Sequence, residues 1–532
     1  MNETSSQTAC WELRVRVLVL VAYGVLMAPV FVFFCGWLRW YFACAACGLL
    51  LGGFVWLYHV DYARLDQRLR VPKWHALAIA ALFGLWVALS GICGVGVEAI
   101  DIPYRMAILR DLIDYDWPVI YEQTGYAMVY YYAFWILPAL VGKVFGMGVA
   151  LFSLWVLETI ILVLTFLVIC VVLNASRPSR IWMIALVMVS FSGLNIVGSL
   201  FGAMVGTNPA ERVTFSTNLG WLDGLDTPYA THFMYRTNTD TMCEIFNQTP
   251  LWLVVALMLQ NKRIHSFLFL GLLVLPYSPW GLVGICPLMI CLGVVQALHG
   301  ADGSPLGWGR TLRALFSPAN VCGAFSVGVV YALFYASAST LSSASSVTKG
   351  YTADIAYSAG NIGIVPLWEL GSFVIACYGV FCLLTFGVFA IMLFGTRKRD
   401  PLFWTCIVWL AIIPLVWVSA PQVRDFCMNV SLAPLALLMI WVMEYLDTHL
   451  MGKKINAYRA LAWGVIVVSF AGGLFGIVQN PVILARQGTL YVPSTFEAAD
   501  TFAEGDIAAD SNVANFLALD PSSSVFFTYL SR

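Results

Sequence analysis

The chain has 532 residues, of which 61% are hydrophobic and only 11% charged, with 34 Phe, 20 Trp and a mean hydropathy of +0.83. That composition excludes a soluble globular core and predicts an all-α polytopic membrane protein with the bilayer as its main solvent. For a chain so apolar and nearly neutral, with a net charge of −1, membrane lipids and not nucleic acid are the expected surroundings.

In chain order, apolar segments predict about thirteen transmembrane helices: 17–38, 41–58, 75–95, 148–173, 181–203, 249–260, 265–277, 281–299, 319–338, 368–395, 402–419, 430–446 and 458–479. No small-residue cleavage site follows the first, which is long enough to cross, so it reads as an uncleaved helix and not a signal peptide. Residues 1–479 are expected to form one transmembrane domain, with 480–532 a short polar tail too small to fold richly alone. No internal repeat or linker to a soluble domain is evident.

Orientation follows from the cations. With the N-terminus inside, eighteen of the 28 Lys and Arg fall in inside loops, and 19 of the 29 Asp and Glu fall outside. The same partition decides the awkward segment Tyr126–Lys143. If it crossed, every cation from Arg177 to Arg459 in the later inside loops would move outside, so an interfacial or re-entrant helix is expected there. Its aromatic residues and Pro138 suit the headgroup zone. The outer face then carries loops 96–147, 204–248, 339–367 and 420–429, together with the tail.

The first outer loop opens with Val97–Pro118, where Glu98, Asp101, Asp111, Asp114 and Asp116 crowd into one short stretch of an otherwise apolar chain. Met106, Leu109, Ile113 and Trp117 recur at helical spacing, with Asp101/Arg105 and Arg110/Asp114 at i,i+4, the pattern of an amphipathic helix on the membrane surface. Two readings stay open on pattern alone. The acids are the solvated side of a juxtamembrane helix, or Asp101 is a general base at the lipid boundary, where a hydroxyl acceptor and a lipid-borne donor can meet.

Further along, Glu158 falls near the middle of the fourth span, where an unpaired charge costs roughly 2.5–3.5 kcal/mol. It should face the bundle interior, in a structural or a functional role. Loop 204–248 mixes Asn208, Glu211, Asp223, Asp226, His232, Tyr235, Arg236, Asp240 and Glu244 with aromatics, a set suited to sugar hydroxyls and ring faces. His232 is the one histidine expected outside, and a lone histidine is more often structural. Among the 14 Cys, Cys44-x-x-Cys47 lies in an apolar helix with no second pair, so zinc is not expected and most cysteines read as small buried hydrophobes.

The acidic loop, the Leu137-Pro-Ala-Leu-Val-Gly-Lys-Val-Phe-Gly146 helix that follows it, the later bundle and the outside tail together resemble the GT-C superfamily of membrane glycosyltransferases over most of the chain. More narrowly, Ala107-Ile-Leu-Arg-Asp-Leu-Ile113, Trp117-Pro-Val119, Val129-Tyr-Tyr-Tyr132, Phe191-Ser-Gly-Leu194, Leu275-Pro-Tyr-Ser-Pro-Trp-Gly281 and Asp425-Phe-Cys-Met-Asn-Val-Ser431 resemble a group of bacterial GT-C-like membrane proteins. The resemblance implies a multi-pass protein of the bacterial plasma membrane. It implies transfer of a sugar from a polyprenyl-phosphate donor to a glycan, lipid or protein acceptor on the outer face, with inversion. Asp101 matches the superfamily's catalytic base, and Glu98 is a second carboxylate. Outer-face cations that could hold the phosphate are Arg105, Arg236, Lys349 and Arg424, with Asp425 and His232 as further substrate contacts. Superfamily members differ in metal use, so no cofactor is assigned and a divalent metal stays open. The chain departs from these relatives at Ile102-Pro-Tyr-Arg-Met-Ala107, where they tend to carry a basic Lys-His-Asn run, and at Asn429, where they tend to carry Arg.

Two other functions compete: a transporter or flippase for a lipid-linked glycan, and a degenerate GT-C-like protein with an assembly role. A secondary transporter should show paired broken helices with ionisable groups at the midplane. The sequence offers one clear break, Leu275–Trp280, and one midplane acid, Glu158.

Overall fold

The computed structural model describes residues 10–99, 101–194, 196–197, 233–299, 307–338, 362–364, 372–418, 423–494, 500–503 and 513–532. Long apolar runs make long helices, because a bilayer leaves each backbone polar group to be satisfied within its own segment. Eight helices of the described residues are long and apolar enough to cross: α1 (Val15–Trp37), α2 (Trp40–Asp61), α6 (Met147–Val172), α11 (Pro279–His299), α13 (Pro318–Ala336), α14 (Ile375–Arg397), α16 (Phe426–Leu450) and α17 (Ala457–Gln487). Four apolar helices are shorter: α3 (Lys73–Leu89), α5 (Ala133–Phe145), α7 (Pro178–Ser190) and α15 (Pro401–Leu415). The remaining helices are α4 (Ile102–Asp114), α8 (Asn238–Glu244), α9 (Pro250–Asn261), α10 (Ile264–Leu272) and α12 (Trp308–Leu315).

The chain is therefore an all-α membrane protein, and its described residues hold eight helices long and apolar enough to cross where the hydropathy pattern predicts about thirteen. The expected spans 249–260 and 265–277 become α9 and α10, of 12 and 9 residues. At 1.5 Å per residue they rise about 18 and 14 Å, well short of a hydrocarbon core of about 30 Å. Helix α8 and the segment Phe246–Asn261 pass the apolar test only together, and they meet at a bend of 110°.

Polar contacts between turns gather at two ends of the bundle. At one end β1 (Cys10–Arg14) pairs antiparallel with β2 (Arg68–Pro72), Asp61 receives Arg263 at 3.1 Å and His265 at 2.9 Å, and Arg180 meets Asp447 at 2.6 Å. At the other end lie loop 96–132, the α8–α9 bend and the tail. Helix α5 starts and finishes there. Lys143, in its last turn, donates to the carbonyls of Ile113 and Tyr115 at 3.1 and 2.6 Å, while the short strand just before α5, Ala127–Met128, pairs with Leu517–Ala518. In α5, Phe134, Trp135 and Ile136 are fully buried, the two rings against Phe246, while Leu140, Lys143, Val144 and Phe145 are exposed.

The tail is built into this end. Residues Tyr491–Val492 run parallel to Gly96–Val97, Arg110 pairs with Asp500 at 3.0 Å, and Arg532 donates twice to the carbonyl of Trp117, at 2.9 and 2.8 Å. Phe502 and Phe516 stack at 4.8 Å, and Phe516 stacks in turn on Tyr104 of α4. With the tail above it and α5 below, α4 buries Ile102, Tyr104, Arg105, Ala107, Ile108, Leu109, Asp111 and Leu112. This corrects the expectation of an amphipathic helix lying on the membrane. Asp114 remains exposed, but Asp111 is fully buried. Cysteine burial is likewise narrower than expected, since only Cys170, Cys377, Cys406 and Cys427 of the 14 are buried.

Candidate functional site

Asp101 directly precedes α4, is half-buried and makes no capping bond to the helix it begins. One turn later, Arg105 is 7% exposed and its Nη1 donates to Oδ1 of Asn247. A buried guanidinium needs polar partners to offset lost hydration. The partner here comes from the short turn Phe246–Gln248 at the 110° bend, which the sequence prepares by setting Asn247-Gln-Thr-Pro250 directly before an apolar run. Pro250 opens α9, where its missing N–H is not needed.

The other arm of the bend supplies the remaining charges. Thr237 and Asp240 form a capping box that starts α8: the Thr237 hydroxyl accepts from the Asp240 N–H, and the Asp240 carboxylate from the Thr237 N–H. Arg236, 7% exposed, lies just before that cap and pairs with Glu244 at the helix's far end. A carboxylate at a helix C-terminus meets the negative end of the dipole, so the Arg236 cation is its natural compensation. Glu244 also lies within electrostatic reach of Asp101 and Arg105. Two arginines and the carboxylates of Asp101, Asp240 and Glu244 thus share one neighbourhood, drawn from loops more than a hundred residues apart.

A third wall is α16. Gln248 donates through Nε2 to Oδ1 of Asn429 at 2.6 Å. Arg424 and Asp425 stand in the helical segment Val423–Val430 that carries Asn429. From the bundle side, Glu158 of α6 is fully buried as expected and accepts from the Thr249 hydroxyl at 2.9 Å, bracing the residue next to the bend. Among the described residues, Oε1 of Glu158, Nδ2 of Asn247 and Oε1 of Gln248 are buried without a hydrogen-bond partner.

Sequence and structure agree in part. Asp101, Arg105 and Arg236 come together, and Glu98 does not join them. Its carboxylate accepts the Ser494 N–H at 2.9 Å, and its own N–H donates to Val492, so it fastens the tail to the loop. Tyr491 beside it is pushed up to about 12 by burial and by the hydrogen bond to Glu98. His232 and Lys349, like Asn208, Glu211, Asp223 and Asp226, lie outside the described residues. Asn247 and Gln248 escaped sequence reasoning; the signal that could have found them is an Asn-Gln pair wedged between apolar segments. Among the described residues, no three His, Cys, Asp or Glu side chains converge in a way that could hold a metal ion.

What fold and site define together is a helical membrane protein with a buried cluster of arginines and carboxylates at one end of its bundle, beside a sharply bent helix pair. No family model matches the chain, and no curated protein matches it either.

Proposed function

We propose that this protein is an integral membrane glycosyltransferase that moves a sugar from a polyprenyl phosphate to a hydroxyl acceptor at the end of the bundle holding Asp101. The single observation that carries the reading is the gathering of Asp101, Arg105, Arg236 and Glu244 into one cluster. A phosphate leaving group needs no strong acid, so a base and well-placed cations suffice. The Asp101 carboxylate takes the acceptor's proton as its oxygen bonds to the anomeric carbon from the face opposite the phosphate. The bond from that carbon to the phosphate oxygen breaks, and the leaving polyprenyl phosphate carries away the electron pair as an anion. Arg105 and Arg236 are the cations that offset this charge, and their forked donors match phosphate oxygens. Glu244 takes the place the sequence suggested for Glu98 as the second carboxylate.

The test is to supply the reconstituted protein with a panel of polyprenyl-phosphate sugars and glycan, lipid and protein acceptors. Transfer with inverted anomeric configuration and release of one polyprenyl phosphate per sugar is expected. No transfer from any donor would overturn the reading.

One observation favours a second function, transport of a lipid-linked glycan. The 110° break between α8 and α9, with buried Glu158 bonded beside it, is the kind of discontinuous helix that transporters place at their binding sites. Flux of a fluorescent polyprenyl-linked glycan that persists in Asp101→Asn, without any sugar transfer, would decide for this alternative.

A further inference from the structure

The end of the bundle opposite the Asp101 cluster carries α12, which joins the last turn of α11 to the first turn of α13. It is clamped in place. The Gly307 N–H donates to the Ala297 carbonyl at 3.0 Å, Asn320 donates to the carbonyl of Leu315 at 2.9 Å, and Ser317 donates to that of His265 at 2.6 Å. Thr311 is the buried residue of the helix. The outward side is apolar, with Trp308, Leu312 and the following Phe316 at fourfold spacing and exposed by 57%, 55% and 72%. This stripe meets the outward faces of its neighbours, since Leu298 at the end of α11 and Val321 at the start of α13 are exposed too. Spans that end together set the depth of the helix between them, so α12 lies where hydrocarbon gives way to headgroups.

Arg310 and Arg313 project from the same helix away from the stripe and are exposed. Among the described residues neither is in an ion pair. The turns of this end hold eighteen Lys and Arg among the described residues against six carboxylates, Glu12, Asp61, Asp66, Asp400, Glu444 and Asp447. Such an excess is complementary to one kind of surface, a leaflet rich in anionic phospholipid.

We propose that α12 is a lipid-docking helix, seating Trp308, Leu312 and Phe316 in the headgroup boundary while Arg310 and Arg313 bind anionic phospholipid headgroups. Short amphipathic helices with aromatic anchors and flanking cations bind in this way, through apolar area and charge together. The inference does not depend on the reaction at the other end.

It is tested with the full chain in phosphatidylcholine–phosphatidylglycerol vesicles of fixed composition, with bromine carried on the chains of one lipid or the other at equal mole fraction. The readout is the part of the tryptophan quenching that disappears in Trp308→Phe. Quenching of Trp308 by both lipids is expected, severalfold stronger with brominated phosphatidylglycerol. The double variant R310Q/R313Q should keep the quenching and bring the ratio between the lipids to one. Quenching unchanged by Trp308→Phe would show that the helix does not touch lipid. Equal quenching by the two lipids in the unmodified protein would show that it does not select anionic headgroups. Either result overturns the proposal, and because all three side chains are exposed the variants should retain the unfolding temperature of the parent.

Discussion

At the scale of single residues, burial separates carboxylates that look alike in the sequence. Asp111 accepts from the Tyr121 hydroxyl at 2.6 Å and from the Phe502 N–H at 3.0 Å, so Asp111→Ala leaves two buried donors unpaired. A loss of about 1–3 kcal/mol is expected in denaturation of the detergent-solubilised protein. Asp114→Ala, three residues on and exposed, should stay within about 0.5 kcal/mol of the parent. Burial also raises the Asp111 carboxyl above its ordinary range, against the opposing hydrogen bonds from Thr501, Tyr121 and Phe502. The folded protein then holds this proton more tightly than the unfolded chain does. The contribution of Asp111 to stability is therefore greatest in acid and declines as pH rises upward from about 4. A pH series comparing the parent with Asp111→Asn, in which that decline is absent, checks the sign. None of this was legible beforehand, because the partner N–H of Phe502 is contributed by the distant tail. Asp101 and Arg105 were legible, since their spacing and their place after a span are local features.

Among elements, close approach of backbones explains where the long helices meet. A Cβ built on Gly473 of α17 would fall 2.2 Å from the carbonyl oxygen of Ser190 at the end of α7, whereas one on Gly464 of the same helix meets nothing within 4 Å. Small residues let membrane helices pack this tightly. Gly473→Ala should therefore cost about 1–3 kcal/mol through overpacking. Gly464→Ala should be neutral or stabilising by up to about 1 kcal/mol, from helix propensity. Thermal unfolding of the two variants side by side measures the difference. Most elements could be read from apolar run length. The runs at 249–260 and 265–277 instead form helices of 12 and 9 residues. Apolar composition does not distinguish a short buried helix from a crossing one, and the polar Asn247–Gln248 pair at the bend is only two residues long.

For the whole molecule, the tail is the feature that sequence underestimates most. A polar segment with little apolar area of its own gains its order by completing strands begun elsewhere, by stacking Phe502 and Phe516 over α4, and by burying Phe526 beside Phe33 of α1 and Phe334 of α13. Deleting residues 513–532 should uncover Trp117 and Phe33, lower the unfolding temperature and open the loop 96–132 to protease, which limited proteolysis of the reconstituted protein would register. The molecule is also polarised, with cations in excess at the α12 end and the mixed cluster of Asp101, Arg105, Arg236 and Glu244 at the other. Loops far apart in the chain meet there because the tail and the α8–α9 bend fold over the same end. The initial rate of transfer from a polyprenyl-phosphate sugar, compared in proteoliposomes for the parent, Asp101→Asn, Glu244→Gln and Glu98→Gln, tests this arrangement most directly. Asp101→Asn is expected to lower the rate by about 10²–10⁴-fold, Glu244→Gln to lower it as well, and Glu98→Gln to leave it within a few fold. Unchanged transfer by Asp101→Asn, or a loss confined to Glu98→Gln, would contradict the assignment of the site.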